Sequence, residues 1–144
     1  MPWNPKRYPP EWKAIRARIQ ERAGDKCEWC GVTNRAIGYR EKCGAFVQLA
    51  PCKESVGMDV EVAALDGYKI VEIVCTTAHL GTDHADGSKG DKHDKMDCRD
   101  ENLAFLCQRC HLRYDIQEHI ENAARTRAKK REAAARESGQ LNLI

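Results

Sequence analysis

Two cysteine pairs of the form C-x2-C, Cys27/Cys30 and Cys107/Cys110, constrain this chain more than any other feature. A two-residue spacer lets both thiolates of a pair reach one ion, and four sulfur donors in a tetrahedron make a closed, structural site for Zn2+. The pairs are separated by 76 residues, so a shared ion would pin the N-terminal region to the last long helix. The chain has 144 residues and only 6% aromatics, so such a clip would supplement a lean core.

The other use for eight cysteines is a disulfide framework. The opening MPWNPKRYPPEW lacks the apolar stretch of a secretion signal. No apolar run approaches the roughly 20 residues that span a bilayer. The expectation is therefore a soluble protein of a reducing cytoplasm, without a membrane partner, where metal binding is the default for cysteine pairs. Cys43 and Cys52 are half of a candidate second metal site, with Cys75 or Cys98 as partners, but they follow no known ligand spacing. Cys75 equally reads as a small core residue.

Net charge is +2, unevenly spread. Residues 1–26 carry seven Lys/Arg against three acids, residues 125–136 carry six against one, and residues 81–101 carry four against seven. Basic flanks around an acidic middle suit phosphate contact at the ends and a cation in the centre; a solvated surface gives the same pattern.

The prolines of the first ten residues predict extended chain. A helix is expected from about Glu11 to Ala23, with Trp12, Ile15 and Ile19 on one face and Gly24 as its stop. Residues 32–67 show no clear period. YKIVEIVCTT, from Tyr68 to Thr77, reads as one strand, and Leu103 to Leu106 as a second. Residues 81–101 read as loop. The second cysteine pair opens a long helix with an apolar stripe of Leu112, Ile116, Ile120 and Ala123. Beyond it, a polar and basic stretch continues to Gly139. The expected division is 1–124 as the main domain and 125–144 as a basic helical extension with a short tail.

The order His79, Asn102, Leu103-x-x-Leu106-Cys107-x-x-Cys110-His111, preceded by the Trp29-bearing first knuckle, resembles the HNH endonuclease family of phages and bacteria. The match covers about residues 8–120 in order, with 32–67 aligning poorly. The resemblance implies an α+β protein: a small ββα-metal fold with a four-cysteine zinc site, an N-terminal helix and a long basic C-terminal helix. It also implies metal-dependent hydrolysis of DNA phosphodiester bonds. In that chemistry a histidine takes the proton of a water near neutral pH, while a divalent cation stabilises the leaving oxygen.

Carried over residue by residue, His79 is the general base. Asn102 orients His79 or braces the loop. His111 is a ligand of a catalytic Mg2+ or Mn2+. Many family members place Asp or His immediately before the base, where this chain has Ala78. Asp83 or His84 is a candidate replacement ligand, as is Asp115, one helical turn after His111. Arg16, Arg18 and Arg22 on the first helix, and Arg125, Lys129 and Lys130 on the last, are candidate nucleic-acid contacts that would give affinity rather than sequence choice. Ala78 keeps a rival reading open, that of an inactive zinc-stapled DNA-binding or adaptor protein. The tail Gln140-Leu141-Asn142-Leu143-Ile144 resembles the short peptide with which bacterial proteins bind the sliding clamp, with Ile in place of the usual Phe.

Overall fold

The computed structural model describes residues 4–139. The protein is a small mixed α+β molecule. Its elements are α1 (Trp12–Arg22), β1 (Ile37–Arg40), β2 (Phe46–Ala50), α2 (Met58–Leu65), β3 (Val71–Glu72), β4 (Cys75–His79), β5 (Leu103–Cys107) and α3 (Gln108–Glu137). They group into two compact units, Met1–Cys110 and His111–Ile144.

In the first unit, α1 forms where the sequence predicts it. Ile19 is buried, and Trp12 and Ile15 pack against the core. The helix stops because Gly24 and Asp25 both take positive φ, +65° and +56°, which ends the hydrogen-bond ladder.

The predicted strand over Tyr68–Thr77 is two strands. β3 pairs with β1 in a three-stranded sheet of order β2-β1-β3, and β4 pairs antiparallel with β5 in a separate two-stranded sheet. The chain crosses between the sheets at Ile73–Val74. Their backbone groups are satisfied by the Ala36 carbonyl (2.9 Å), the Arg35 amide (2.7 Å) and the Gln108 side chain (3.1 Å). Ile73 points inward, 2% exposed. β-branched composition does not mark such a switch, because both halves are genuinely extended.

β1 and β2 lie in the stretch that showed no period. They join through a tight turn in which Gly44 takes φ +91° and its amide donates to the Glu41 carbonyl at 2.8 Å. Gly38 is required on β1, since a Cβ there would meet the Val47 backbone.

The core lies around β5, all five of whose residues are buried, with Ala36, Ile73, Cys75 and Ala78 against them. The β4–β5 register places Cys75 opposite Cys107 at one end and His79 opposite Leu103 at the other.

The second unit is the body of α3. Leu112, Ile116 and Ile120 fall on one stripe as expected, but they are 55%, 46% and 54% exposed. Periodicity fixes which side chains share a face; it supplies no partner for that face. Gly139 closes the helix at φ +78°, with its amide donating to the Arg136 carbonyl. Among the described residues, no helix is long and apolar enough to cross a membrane.

Candidate functional site

The four cysteines come together. Cys27 and Cys30 sit on a turn held by the Cys27 amide donating to the Val32 carbonyl and the Gly31 amide donating to the Cys27 carbonyl, both at 2.9 Å. Cys107 ends β5 and Cys110 lies in the first turn of α3. The Cys30 and Cys107 sulfurs are 3.6 Å apart, and all four sulfurs lie within 4.8 Å of one another. A tetrahedral ion with Zn–S bonds of ~2.3 Å sets its sulfurs about 3.8 Å apart. The group is therefore placed to hold a metal ion such as zinc.

The thiols are matched to that task. Burial pushes Cys27 up, but backbone hydrogen bonds at Cys107, Cys30 and Trp29 outweigh it and bring the thiol down to about 7. Burial raises Cys30 and Cys110. Four such sulfurs become thiolates together only when a cation compensates their charge.

Cys75 lies beside this group but is pushed up to about 12, by burial first and then by the neighbouring sulfurs. It is a neutral core thiol. Cys43 is exposed and Cys52 faces the Ser55 hydroxyl at 3.3 Å. The sequence left a second metal site open for these cysteines. Among the described residues, no second converging group of three or more ligand atoms accompanies the first.

His79 ends β4 and is 6% exposed. Its ring stacks on Trp12 at 5.2 Å and lies 6.2 Å from Tyr8. Its Nε2 is 3.9 Å from the Cys98 sulfur. The imidazole is held below its ordinary pKa, by burial first and by the Lys95 charge second. A hydrogen bond at the Lys95 backbone and the charges of Asp97 and Asp94 oppose this. Near neutral pH it is an uncharged imidazole, with a lone pair on one nitrogen.

Asn102 is fully buried. Its Oδ1 accepts from the Thr82 amide and its Nδ2 donates to the Asp97 carbonyl, both at 2.8 Å. Its own carbonyl accepts from the Leu80 amide at 2.9 Å. It ties both ends of the 80–97 loop to the start of β5.

Asp97 and Arg99 are residues that sequence reasoning missed. The Asp97 carboxylate is 8% exposed and receives Arg99 Nε and Nη2 at 2.8 and 2.9 Å, which holds it below the usual carboxylate range. Arg99 Nη2 also donates to the Thr82 carbonyl at 2.7 Å. An Asp-x-Arg string within an acidic loop gives no signal that it folds inward.

Of the remaining candidates, Asp83 and His84 belong to the first unit and His111 and Asp115 to the second. Asp83 accepts from the Gly90 amide (3.1 Å) and Lys89 (3.2 Å), whose hydrogen bonds lower its pKa in that order. His84 Nε2 lies 4.0 Å from Asp97 Oδ2. On α3, in the second unit, His111 Nε2 is 3.3 Å from Asp115 Oδ2.

Arg18 is paired with Asp100 at 2.7 Å. Arg22 bonds Glu28 and the carbonyls of Asp100 and Leu103, making it a strut between α1 and β5. Arg16 is exposed, as are Lys129 and Lys130, while Arg125 bonds Asn122 at 3.1 Å. Residues 140–144, with the clamp-like peptide, lie outside the described residues.

No protein-family model, curated protein or solved structure matches the chain.

Proposed function

We propose that the protein is a metal-dependent HNH-type endonuclease acting on DNA, with His79 as general base and a structural zinc on Cys27, Cys30, Cys107 and Cys110. The observation that carries the reading is the β4–β5 pair followed directly by α3. A neutral histidine stands at one end, beside a buried asparagine that opens β5, and four converged thiols stand at the other.

In this reading His79 takes a proton from the attacking water, for which its lowered pKa keeps a lone pair free. Asn102 is a positioning residue that holds the loop leaving the His79 strand. The nitrogen and oxygen donors of His111 and Asp115 fit a Mg2+ or Mn2+ ion that keeps most of its waters. In the nuclease reading a divalent cation stabilises charge on the phosphate and leaving oxygen. Lys129, Lys130 and Arg125 would meet phosphates, and residues 140–144 would bind a sliding clamp.

A second reading has its own observation. Tyr8, Trp12 and Cys98 crowd His79, and Ala78 beside it offers no donor atom. These features favour a zinc-stapled DNA-binding protein without activity.

Plasmid cleavage with Mg2+, Mn2+ or Ni2+ separates the two. The nuclease reading expects nicking or linearisation by the wild type and none by His79→Ala. Binding by both proteins with no cutting under any metal transfers the case to the binding protein. Cutting by both would remove His79 as the base.

A further inference from the structure

The face of α1 beside His79 carries a feature that neither reading uses. A cavity of about 560 Å3 opens between α1 and β4, with Trp12, Lys13 and Arg16 on one wall and Thr76 and Thr77 on the other. A second hollow of about 530 Å3, lined by Pro5, Pro9 and Pro10, shares Tyr8, Trp12, Lys13 and Arg16 with the first. The two hollows run along one track, with two stacked aromatic rings (Tyr8 and Trp12, 4.8 Å between centroids) at their junction.

We propose that this track is a binding site for unpaired, single-stranded DNA, with successive nucleotides in the two hollows and the phosphate between them on Lys13 and Arg16. Three features lead there. The aromatic pair offers a surface for stacking a base, and a base is free to stack on protein only when it has left a duplex. Lys13 and Arg16 are exposed and make no hydrogen bond or ion pair within the described residues, whereas Arg18 and Arg22 on the same helix are engaged. Two adjoining hollows sharing one pair of cations suit a polymer rather than one small molecule.

Asp25, also on the wall of the first cavity, accepts hydrogen bonds from Gln20 and Asn34. Its charge leaves the Lys13–Arg16 rim as the place for phosphate. Trp12 packs on His79 and lines both hollows, so a strand lying there reaches the histidine's covering ring. The inference rests on the nucleic-acid reading above for the choice of polymer, but it needs no cleavage.

The test is fluorescence anisotropy of a 5′-labelled oligothymidylate of about twelve nucleotides, a length within the range of single-strand sites. Full-length, zinc-loaded protein is used without added Mg2+ or Mn2+. Lys13→Glu/Arg16→Glu, both surface positions, should weaken binding about tenfold or more and flatten its salt dependence. Tyr8→Ala should weaken it about fivefold or more. Lys42→Glu/Lys69→Glu, an equal charge reversal at exposed positions that line neither hollow, should leave this binding within about twofold.

Equal affinity of the Lys13/Arg16 variant and the wild type overturns the proposal. So does an equal loss from the Lys42/Lys69 variant, tighter binding of the matching duplex, or full competition by thymidine monophosphate at the oligonucleotide's concentration. Binding with the expected variant pattern but no plasmid cleavage upholds the site while removing the nuclease reading, so the two failures are distinct.

Discussion

The two ends of the β4–β5 pair are built on different principles. At the Cys75–Cys107 end, four sulfurs within 4.8 Å of one another converge on a point where they could hold a metal ion. At the His79–Leu103 end, no ion is needed. Asn102 closes the loop with two side-chain hydrogen bonds, Arg99 locks Asp97 and Thr82, and Trp12 covers the histidine ring. One end offers four ligands for coordination and the other is fixed by a buried polar network. A metal-fixed end fails all at once when the ion leaves. A network fails bond by bond, each with a cost of its own.

The largest expected effect breaks the comparison at its metal end. Chelating the ion, or making Cys107→Ser, should abolish the cooperative thermal transition or lower it by an amount on the order of 5 kcal/mol or more, since structural zinc supplies folding energy directly. Circular dichroism melts with and without chelator measure this, and cobalt substitution should give a sulfur-to-cobalt absorption band. An unchanged melting temperature in the metal-free protein would mean that packing around β5 holds both ends alike.

The second effect sharpens the network end. Asn102→Ala removes an acceptor for Thr82 and a donor for Asp97 in a fully buried position, and should cost about 3 kcal/mol. Metal content should stay at the wild-type value, because the cysteines are at the other end of the strands. Denaturant titration and metal analysis of one sample give both numbers. Loss of bound metal in Asn102→Ala would show that the two ends are one cooperative structure.

The same contrast explains what could be read in advance. Coordination leaves a local pattern, because two ligands of one ion must lie close in sequence on a knuckle; the two C-x2-C pairs and the helix after Cys110 were legible for that reason. α1 was legible through Trp12, Ile15 and Ile19, and β5 through its apolar run. Networks leave no such pattern. Asp97 and Arg99 look like any loop charges until the loop folds over them. Asn34 joins Asp25 to the Cys75 amide across the first unit, at 2.9 Å to each, and nothing near it in sequence points there. β1 and β2 are short, and their residues fall in buried, half-buried and, at Gln48, exposed positions without strict alternation. The sheet switch at Ile73–Val74 is hidden in a stretch rich in β-branched residues throughout. The exposure of Leu112, Ile116 and Ile120 depends on what packs against them, which no periodicity encodes.

The smallest effect concerns protons, and it tests whether the histidine end is as closed as its contacts imply. Burial first, then the Lys95 charge, holds His79 below its ordinary pKa; Asp97 and Asp94 pull the other way and do not win. An unfolded histidine titrates near 6.5. Above that value both states carry a neutral ring and the group contributes no pH dependence. As pH falls through 6.5, the unfolded chain binds the proton first, so stability drops until the lowered folded pKa is reached. The slope from one such group is at most about 1.4 kcal/mol per pH unit. Acid also drives the metal from its thiolates, which destabilises with the same sign. The difference between wild type and His79→Gln cancels that contribution, because the cysteines are common to both. Thermal melts from about pH 7.5 to about pH 5 should therefore show the wild type losing more stability than the variant, with the gap opening below about 6.5. Parallel curves would mean that the ring is protonated as easily inside the fold as outside it. Water would then reach His79 past Trp12 and Tyr8, and that end would be open rather than sealed.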